Sequence, residues 1–453
     1  MTNDHVADYQ GGIVGKISAY IVQNRDQVSS LPARDAALKC IFDLVGATAV
    51  GVEDVGPKAI RSIASSVFGM GAVPIWFTGK TSSVLGAAWA NSSASAALDL
   101  DDGNRFARGH PGAAIIPAVL AVAHELGSSL EEILTAIVIG YEVGVAVGAA
   151  RTTYGSSGTW TPFGVVAAVS ALRRTPWQAI EHALAIAGES APSQAFAGGP
   201  APRVPAPEGA AVKEGIPWSV VTGITAVLLA EAGHTGPRNI LDSVRHYSFP
   251  EDYAPGTAQH ICGTYFKPYA CCRHIHAPLA ALETLMARHS IAGVEIDRME
   301  VEIHSAGLRI SNRPDPANLI DVQYSIPFCL ALFSLFGAQS LIPITSDFIE
   351  RAEVVDLASK VELSLSGELD AVYPEQILAR VTITAKGRRF VSDPTPPQGE
   401  PLMTWEELDA KFKVATRLTM SPANGGMVVD AIALMRNGEL APLLTCLSRT
   451  LAA

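Results

Sequence analysis

Six ionisable side chains lie between residues 99 and 110 of a chain in which only 17% of residues are charged. An apolar stretch follows at 112–126, and the helical spacing there and at 83–98 predicts a loop between two helices. His110 would then lie at a helix N-terminus, where the helix field lowers the pKa of an imidazole and attracts anions. Such a cluster is typical of a functional loop, but equally of a surface ion-pair network that caps helices. Its members are Asp99, Asp101, Asp102, Arg105, Arg108 and His110.

Two further segments carry side chains that could do chemistry. In GAAVKEG, at 209–215, Lys213 stands in the first turn of a predicted apolar helix, although a solvated helix end would place a lysine there as well. The segment YFKPYACCRHIH spans 265–276 and is dense in ionisable side chains and thiols. These are Lys267, Cys271, Cys272, Arg273, His274 and His276.

The second of these segments lacks the spacing of common metal sites. On a helix, His274 and His276 point in nearly opposite directions and cannot chelate one ion together. The adjacent Cys271 and Cys272 lack the spacing of an iron–sulfur cradle. A metal site would need this segment to be extended, and we expect no metal here.

The sequence contains no phosphate loop, no GxGxxG and no GxSxG nucleophile elbow. What remains is a set of carboxylates, a histidine and two lysines, with no organic cofactor expected. These groups suit proton transfer at a carbon next to a carboxylate, in which cations bind the carboxylates of the substrate and a positioned acid or base transfers the proton.

The elements that must position these residues change character along the chain. Helical periodicity dominates the first 235 residues, whereas alternation at 299–304, 360–365 and 379–393 predicts strands. We therefore expect two domains: a large all-helical domain of residues 1–265, completed by 400–453, and a smaller α+β domain of residues 266–399. The helices that we predict for the large domain cover 33–51, 83–98, 112–126, 130–149, 164–172, 176–186, 211–231, 405–416 and 423–436.

Composition excludes several classes of partner. The net charge of −11 and the absence of any run of more than two Lys or Arg argue against nucleic-acid binding. Residues 133–150 are apolar, but Glu142 at their centre favours a buried helix over a membrane span. Six cysteines without a CxxC spacing and a polar, acidic N-terminus predict a cytoplasmic protein with reduced thiols.

The three segments, in this order, resemble motifs of the MmgE/PrpD family, which includes 2-methylcitrate dehydratase, cis-aconitate decarboxylase and iminodisuccinate epimerase. ALDLDDGNRFARGHPG is similar to the family's aspartate loop and H-P pair, GAAVKEG to its G-x-A-A-[KR]-x-G segment, and KPYACCRHIH to its K-x-Y stretch. SNRP at 311–314 and QYS at 323–325 also resemble family residues. The resemblance implies a helical domain with an α+β lid, a homodimer, and metal-free chemistry on small di- or tricarboxylates.

The resemblance also implies which residues surround the substrate. The catalytic positions would be Asp99, His110, Lys213, Lys267 and Cys272, the last where some members have histidine. The lysines would bind substrate carboxylates, so that replacing them leaves stability nearly unchanged. A family histidine is missing, because Tyr154 or Gly155 stands there. The expected substrate contacts are Asp102, Arg105, Tyr154, Arg203, His274 and His276.

Together these observations predict a cofactor-independent lyase or isomerase that acts on a small polycarboxylate. A 2-methylcitrate dehydratase-like activity is the first expectation, and activities like those of cis-aconitate decarboxylase or iminodisuccinate epimerase are the alternatives. A family member that has lost catalysis and only binds a carboxylate is a third alternative, since one site histidine is absent.

Overall fold

The computed structural model describes residues 12–193, 210–400 and 402–450. It is mostly helical and divides into two hydrophobic cores, the first formed by the N-terminal helices and the second centred on a four-stranded sheet. The helices before the sheet are α1 Ile13–Asn24, α2 Leu31–Gly51, α3 Val55–Phe68, α4 Val84–Ala96, α5 Gly112–Leu126, α6 Leu130–Ala150, α7 Thr161–Arg173, α8 Trp177–Glu189 and α9 Ile216–Glu231. The helical segments predicted for this part of the chain are all present, with ends shifted by a few residues.

Nine further helices of the described chain lie in and after the second core. They are α10 Arg273–His289, α11 Ser305–Leu308, α12 Leu319–Gln323, α13 Ile326–Phe336, α14 Ala352–Ala358, α15 Gly367–Ala371, α16 Trp405–Thr416, α17 Pro422–Arg436 and α18 Ala441–Ser448. The strands of the chain are β1 Val73–Ile75, β2 Lys80–Ser82, β3 Gly103–Asn104, β4 Thr264–Tyr265, β5 Ile296–Ile303, β6 Val361–Leu365, β7 Ala379–Ala385 and β8 Arg388–Val391.

The four-stranded sheet has the order β6-β5-β7-β8, with β5 parallel to β6 and antiparallel to β7. Met299, Val301 and Ile303 alternate into the core, as the period-two pattern predicts. The predicted turn between β7 and β8 falls at Lys386 and Gly387, which both have positive φ angles. The sheet and the helices α10 and α13 together bury the second core.

Helices α6 and α7 approach closely because glycines face one another. A methyl group added at Gly140 would lie 3.0 Å from the carbonyl oxygen of Gly164, and one added at Gly164 would lie 2.8 Å from that of Gly140. Helix α6 is long and apolar enough to cross a membrane, but most of it is buried inside the fold. The carboxylate of Glu142 in its centre accepts hydrogen bonds from the backbone N–H groups of Gly256 and His260, both at 2.8 Å. Helix α6 is therefore a core helix.

The last helices return to the N-terminal core. The ring of Phe42 in α2 lies 6.3 Å from the ring of Trp405 and 5.3 Å from that of Phe412, both in α16. Met435 and Leu447, in α17 and α18, are buried in the same core. The apolar face of α2 is thus covered by a segment from the far end of the chain.

Two short ladders depart from the expectation of an all-helical region before residue 265. Strands β1 and β2 form a hairpin, and β3 pairs antiparallel with β4. Strands of two or three residues are too short to show a period-two pattern, which is why the sequence did not reveal them. The second ladder joins the 99–110 loop to the segment that leads into Lys267.

The glycine contact between α6 and α7 makes Gly164→Ala destabilising, because the added methyl group overpacks a closed helix interface. We expect a loss of about 1–3 kcal/mol in the free energy of unfolding, measured by urea denaturation. Gly426→Ala is the matched control, since Gly426 is exposed in α17 and no atom lies within 4 Å of the added methyl group. That control should be neutral or stabilising by up to about 1 kcal/mol. Equal effects of the two substitutions would contradict the close approach.

Candidate active site

The carboxylate of Asp99 is the centre of a buried cluster of charges. The ammonium of Lys267 lies 2.7 Å from Asp99 Oδ2 and also donates to the Asp99 carbonyl oxygen at 2.8 Å. Lys213 Nζ lies 3.3 Å from Asp99 Oδ1. All three side chains are buried, and Lys267 is 0% exposed. Asp99 itself has a φ of 56°, in the left-handed region that few non-glycine residues adopt.

The neighbouring cations keep Asp99 ionised. Burial alone would raise the pKa of the Asp99 carboxyl, but Lys267, Lys213 and His110 lower it far below its usual range. Burial would lower the pKa of Lys267, but the carboxylates of Asp99 and Asp101 raise it above its usual value. Asp99 and Lys267 therefore both carry their charges at neutral pH, and Asp99 is a weak base.

His110 faces this carboxylate with one ring nitrogen held and the other free. Nδ1 lies 2.9 Å from the carbonyl oxygen of Asp102 and 3.1 Å from Asp101 Oδ2, so a proton on Nδ1 is shared between these two oxygens. Nε2 lies 3.8 Å from Asp99 Oδ1, which is too far for a hydrogen bond. The backbone N–H of His110 donates to Ser157 Oγ at 3.1 Å and fixes the residue at the start of α5.

The prediction of a lowered pKa for His110 is wrong. Burial does lower it, but the Asp101 carboxylate, opposed by Lys267 and joined by Asp99, raises the pKa of His110 to about 9 overall. Carboxylates at 3–4 Å outweigh the field of the helix terminus, which is worth less than a full charge. His110 is therefore an imidazolium at neutral pH, and it is equipped to act as an acid.

Asp102 serves the structure of the loop. Its Oδ1 accepts the backbone N–H of Gly112 at 3.0 Å, and its Oδ2 accepts the hydroxyl of Tyr141 at 2.6 Å. Burial raises the pKa of Asp102 to about 7, although the hydrogen bond from Tyr141 opposes that shift. Both oxygens thus accept a hydrogen bond within the protein, and a substrate contact of Asp102 stays a prediction.

Lys213 lies in a strained turn before α9, and not in the first turn of a helix as predicted. Lys213, Glu214 and Gly215 have successive φ angles of 45°, 58° and 74°. Glu214 Oε2 holds this turn by accepting the N–H of Ser157 at 2.9 Å and its hydroxyl at 2.7 Å. Lys213 is 6% exposed, so the alternative of a solvated helix end is excluded.

Gln323 and Tyr324 complete the site but were not among the predicted site residues. Lys213 Nζ donates to Gln323 Oε1 at 2.8 Å, and the amide of Gln323 donates to the Ala97 carbonyl oxygen at 3.2 Å. The Tyr324 hydroxyl lies 3.5 Å from Asp99 Oδ1, and its ring lies 5.3 Å from Lys213 Nζ. The family-like QYS motif was the signal for these two residues, which the α+β part of the chain contributes.

The 265–276 segment places Cys272 at the N-terminus of α10. The Cys272 N–H donates to the Gln323 carbonyl oxygen at 2.8 Å. Burial, with the nearby Asp99 carboxylate, raises the pKa of the thiol to about 12, so Cys272 is protonated. His276 Nδ1 lies 3.2 Å from the Cys272 carbonyl oxygen, and its ring stacks 5.8 Å from that of Tyr269. Burial, followed by the charges of Arg273 and Lys267, lowers the pKa of His276, which is neutral.

The remaining predicted contacts engage partners other than Asp99. His274 Nδ1 lies 2.9 Å from His304 Nε2, and so His274 and His276 engage different partners. The guanidinium of Arg105 lies 3.8 Å from the carboxylate of Glu400. The exposed ring of Tyr154 lies 5.8 Å from the guanidinium of Arg108. Arg203 lies outside the described residues.

A second buried ion pair contacts the backbone of the 99–110 loop. Lys411, in α16, forms an ion pair with Asp43 in α2 and donates to the Leu100 carbonyl oxygen at 3.1 Å. Burial raises the pKa of Asp43 to about 6, although Lys411 opposes this. Nothing in the sequence pointed to this pair, because the two residues are separated by 368 positions.

The burial of Lys267 changes the expectation that its replacement leaves stability unchanged. Lys267→Met leaves the Asp99 carboxylate short of a partner inside the protein, and we expect a loss of about 3–5 kcal/mol in urea unfolding. Lys413→Met is the control, because Lys413 pairs with Asp409 on the surface, and it should cost at most about 1 kcal/mol. Adding Asp99→Asn to Lys267→Met should recover part of the loss. A strictly additive double variant would contradict the pairing.

Comparison with known proteins agrees with this architecture. Family models of the MmgE/PrpD N-terminal and C-terminal domains match residues 15–248 and 269–431. The chain is also 28% identical, over 330 residues, to cis-aconitate decarboxylase from Aspergillus terreus and to the enzyme of that name from A. terreus strain NIH 2624 / FGSC A1156. Each match covers 63% of this chain and 64% of the relative. The two domain models together span most of the sequence, and the chain belongs to the MmgE/PrpD family.

Proposed function

We propose that this protein is a lyase that decarboxylates a small unsaturated polycarboxylate of the cis-aconitate type. The observation that carries the proposal is His110, an imidazolium whose Nε2 faces the Asp99 carboxylate without a hydrogen-bond partner in the described part of the chain. A decarboxylase needs a positioned acid, and His110 has the protonation state and the free nitrogen for this role.

In the proposed decarboxylation, His110 supplies the proton that replaces the lost carboxylate. The bond between the substrate carbon and its leaving carboxylate breaks, and carbon dioxide departs. The electron pair stays on the carbon and is delocalised into the neighbouring unsaturated carboxylate. His110 Nε2 then donates its proton to that carbon, and solvent reprotonates the imidazole. Lys213 would bind a remaining carboxylate of the substrate. Lys267 is fully buried against Asp99, so it would act by positioning the Asp99 carboxylate.

Dehydration and epimerisation both need a base that removes a proton from carbon, and the groups around Asp99 in the described chain are poor bases. Asp99 is held as a stable carboxylate of low basicity, and His110 is already protonated. The pKa of Cys272 is raised by burial, and so is that of Tyr324, so both groups carry their protons. Protonated groups around the Asp99 carboxylate favour decarboxylation over the 2-methylcitrate dehydratase-like activity expected first.

We also propose that the reaction takes place in the cytoplasm and needs no metal or organic cofactor. The α+β part would act as a lid that closes over the Asp99 cluster. The lid is supported by Gln323 and Tyr324, which this part contributes to the site in addition to Lys267 and Cys272. Closure would exclude water from the charged cluster and strengthen its interactions.

The activity is tested with cis-aconitate in deuterated water. We expect one carbon dioxide per turnover and one deuterium on the new C–H bond of the product. His110→Gln should lower turnover by about 10²- to 10⁴-fold, as the loss of a general acid commonly does. His124→Gln, at the exposed end of the same helix α5, is the matched control and should keep normal turnover. Normal turnover in His110→Gln would refute the role of His110, and a hydrated product would favour the dehydratase alternative.

The pH dependence follows from the raised pKa of His110. The active form is the imidazolium, which is present below a pKa of about 9, so kcat/KM should be level below that value and fall as the pH rises through it. His110→Gln should lose this limb. Circular dichroism across the same range distinguishes titration of His110 from unfolding. A limb near pH 6.5 would mean that Asp101 and Asp99 do not raise the pKa of His110 in solution.

We further propose that the protein is a homodimer through a face formed by α3 and α9. Trp89 joins the two helices, with ring distances of 5.5 Å to Phe68 and 4.9 Å to Trp218. Trp218, Val67 and Met70 are all substantially exposed beside it, an arrangement typical of an interaction surface. Sedimentation should show a dimer that Trp218→Asp converts to a monomer, while Val294→Asp, at an exposed position of the α+β part, does not. A wild-type monomer at micromolar concentration would refute the proposal.

A further inference from the structure

One serine connects His110 to the turn that carries Lys213. Ser157 donates its hydroxyl proton to Glu214 Oε2 at 2.7 Å, and its backbone N–H donates to the same oxygen at 2.9 Å. Because a serine hydroxyl has a single proton, its oxygen is left to accept the backbone N–H of His110, at 3.1 Å. Ser157 is 0% exposed, so bulk water does not compete for these bonds. The hydrogen bonds therefore run in one direction, from His110 through Ser157 to Glu214.

The backbone of Glu214 packs against the same segment that its side chain holds. Its carbonyl oxygen accepts the hydroxyl of Ser156 at 3.2 Å, and a methyl group added at Gly158 would lie 2.5 Å from this oxygen. The residues on either side, Lys213 and Gly215, share its left-handed conformation, with φ angles of 45° and 74° around the 58° of Glu214. A strained turn of this kind persists only where contacts hold it. These contacts therefore determine where the turn, and with it Lys213, lies.

His110 and Lys213 meet at a single oxygen of Asp99. Oδ1 lies 3.8 Å from His110 Nε2 and 3.3 Å from Lys213 Nζ. Two positively charged groups beside one oxygen repel each other, so their positions have to be fixed by other contacts. The path through Glu214 and Ser157 supplies such contacts, and with Asp99 it closes a ring that begins and ends at Oδ1. The two groups are thus tied together by their backbones as well as by the carboxylate.

We propose that Glu214 is a positioning residue of the active site, which fixes the backbone of His110 through Ser157 and the side chain of Lys213 through the strained turn. The inference goes beyond the proposed reaction, but it rests on the roles given there to His110 and Lys213. Glu214 accepts both hydrogen bonds with one oxygen, so the reach of the side chain and its acceptor matter more than its charge. Glu214→Gln can accept the same two bonds, whereas Glu214→Ala has no acceptor and Glu214→Asp is one methylene too short.

The titration of His110 reports its position without requiring turnover. With isotopically labelled histidine, the Cε1–H resonance of His110 is assigned by nuclear magnetic resonance from its loss in His110→Gln. We expect Glu214→Ala to lower the pKa of His110 from about 9 toward the ordinary value of 6.5, because the ring is no longer held beside the Asp101 carboxylate. Asp99 and Lys267, which also act on the ring, stay paired with each other. Glu214→Asp should behave like Glu214→Ala, and Glu214→Gln should keep the wild-type pKa.

Turnover of cis-aconitate should separate the same variants. Misplacing His110 and Lys213 should lower kcat/KM of Glu214→Ala by about 10- to 100-fold, whereas Glu214→Gln should stay close to the wild-type value. Glu132→Ala is the matched control, because Glu132 Oε2 accepts the backbone N–H and the hydroxyl of Ser129 in the same way, both at 2.8 Å, at the start of α6. The control loses the same two hydrogen bonds and should leave the pKa of His110 and turnover unchanged.

A wild-type pKa of His110 in Glu214→Ala would overturn the proposal, and where circular dichroism shows that this variant is unfolded, Glu214→Asp takes its place. A Glu214→Gln variant that titrates like Glu214→Ala would overturn it as well, since the charge and not the acceptor would then be responsible. The expected titrations, together with no release of carbon dioxide from cis-aconitate, would support the positioning role and refute the proposed reaction.

Discussion

The ion pair between Asp99 and Lys267 is the constraint on which the rest of the site depends. Two opposite charges in a dry interior are stable only if their geometry is good and their remaining hydrogen-bonding positions are filled. Lys267 meets this condition by donating to both the side chain and the backbone carbonyl of Asp99. Lys213 and His110 then lie beside a carboxylate that is already fixed. The protonation of His110 follows from the Asp101 carboxylate next to Nδ1 and the Asp99 carboxylate opposite Nε2.

Backbone strain is concentrated where these charges meet. Ten non-glycine residues of the described chain have positive φ angles, and Asp99, Arg108, Lys213 and Glu214 are four of them. Each such residue costs on the order of 1 kcal/mol and persists only where its surroundings hold it. Here the holding contacts are the Lys267 pair on Asp99 and the Ser157 hydrogen bonds to Glu214. The strain is thus supported by the polar network of the same site.

The sequence predicted the elements better than it predicted the electrostatics. Amphipathic and alternating patterns are local, and the helices, the sheet and the turn at Lys386 accordingly lie where they were expected. The charge on His110 depends on the sum of burial, Asp101, Lys267 and Asp99, and no local pattern contains that sum. The strained turn at Lys213 also escaped prediction, because three left-handed residues in succession have no propensity signature.

The position of Lys411 has a consequence for how the protein is made. The loop that carries Asp99 is synthesised early, but the lysine that holds the Leu100 carbonyl belongs to α16, near the end of the chain. Phe42 in α2 likewise packs against that helix. On the ribosome, the N-terminal helices therefore emerge with an uncovered apolar surface and an unsupported loop. The loop and the apolar face of α2 can therefore reach their final state only once α16 has been synthesised.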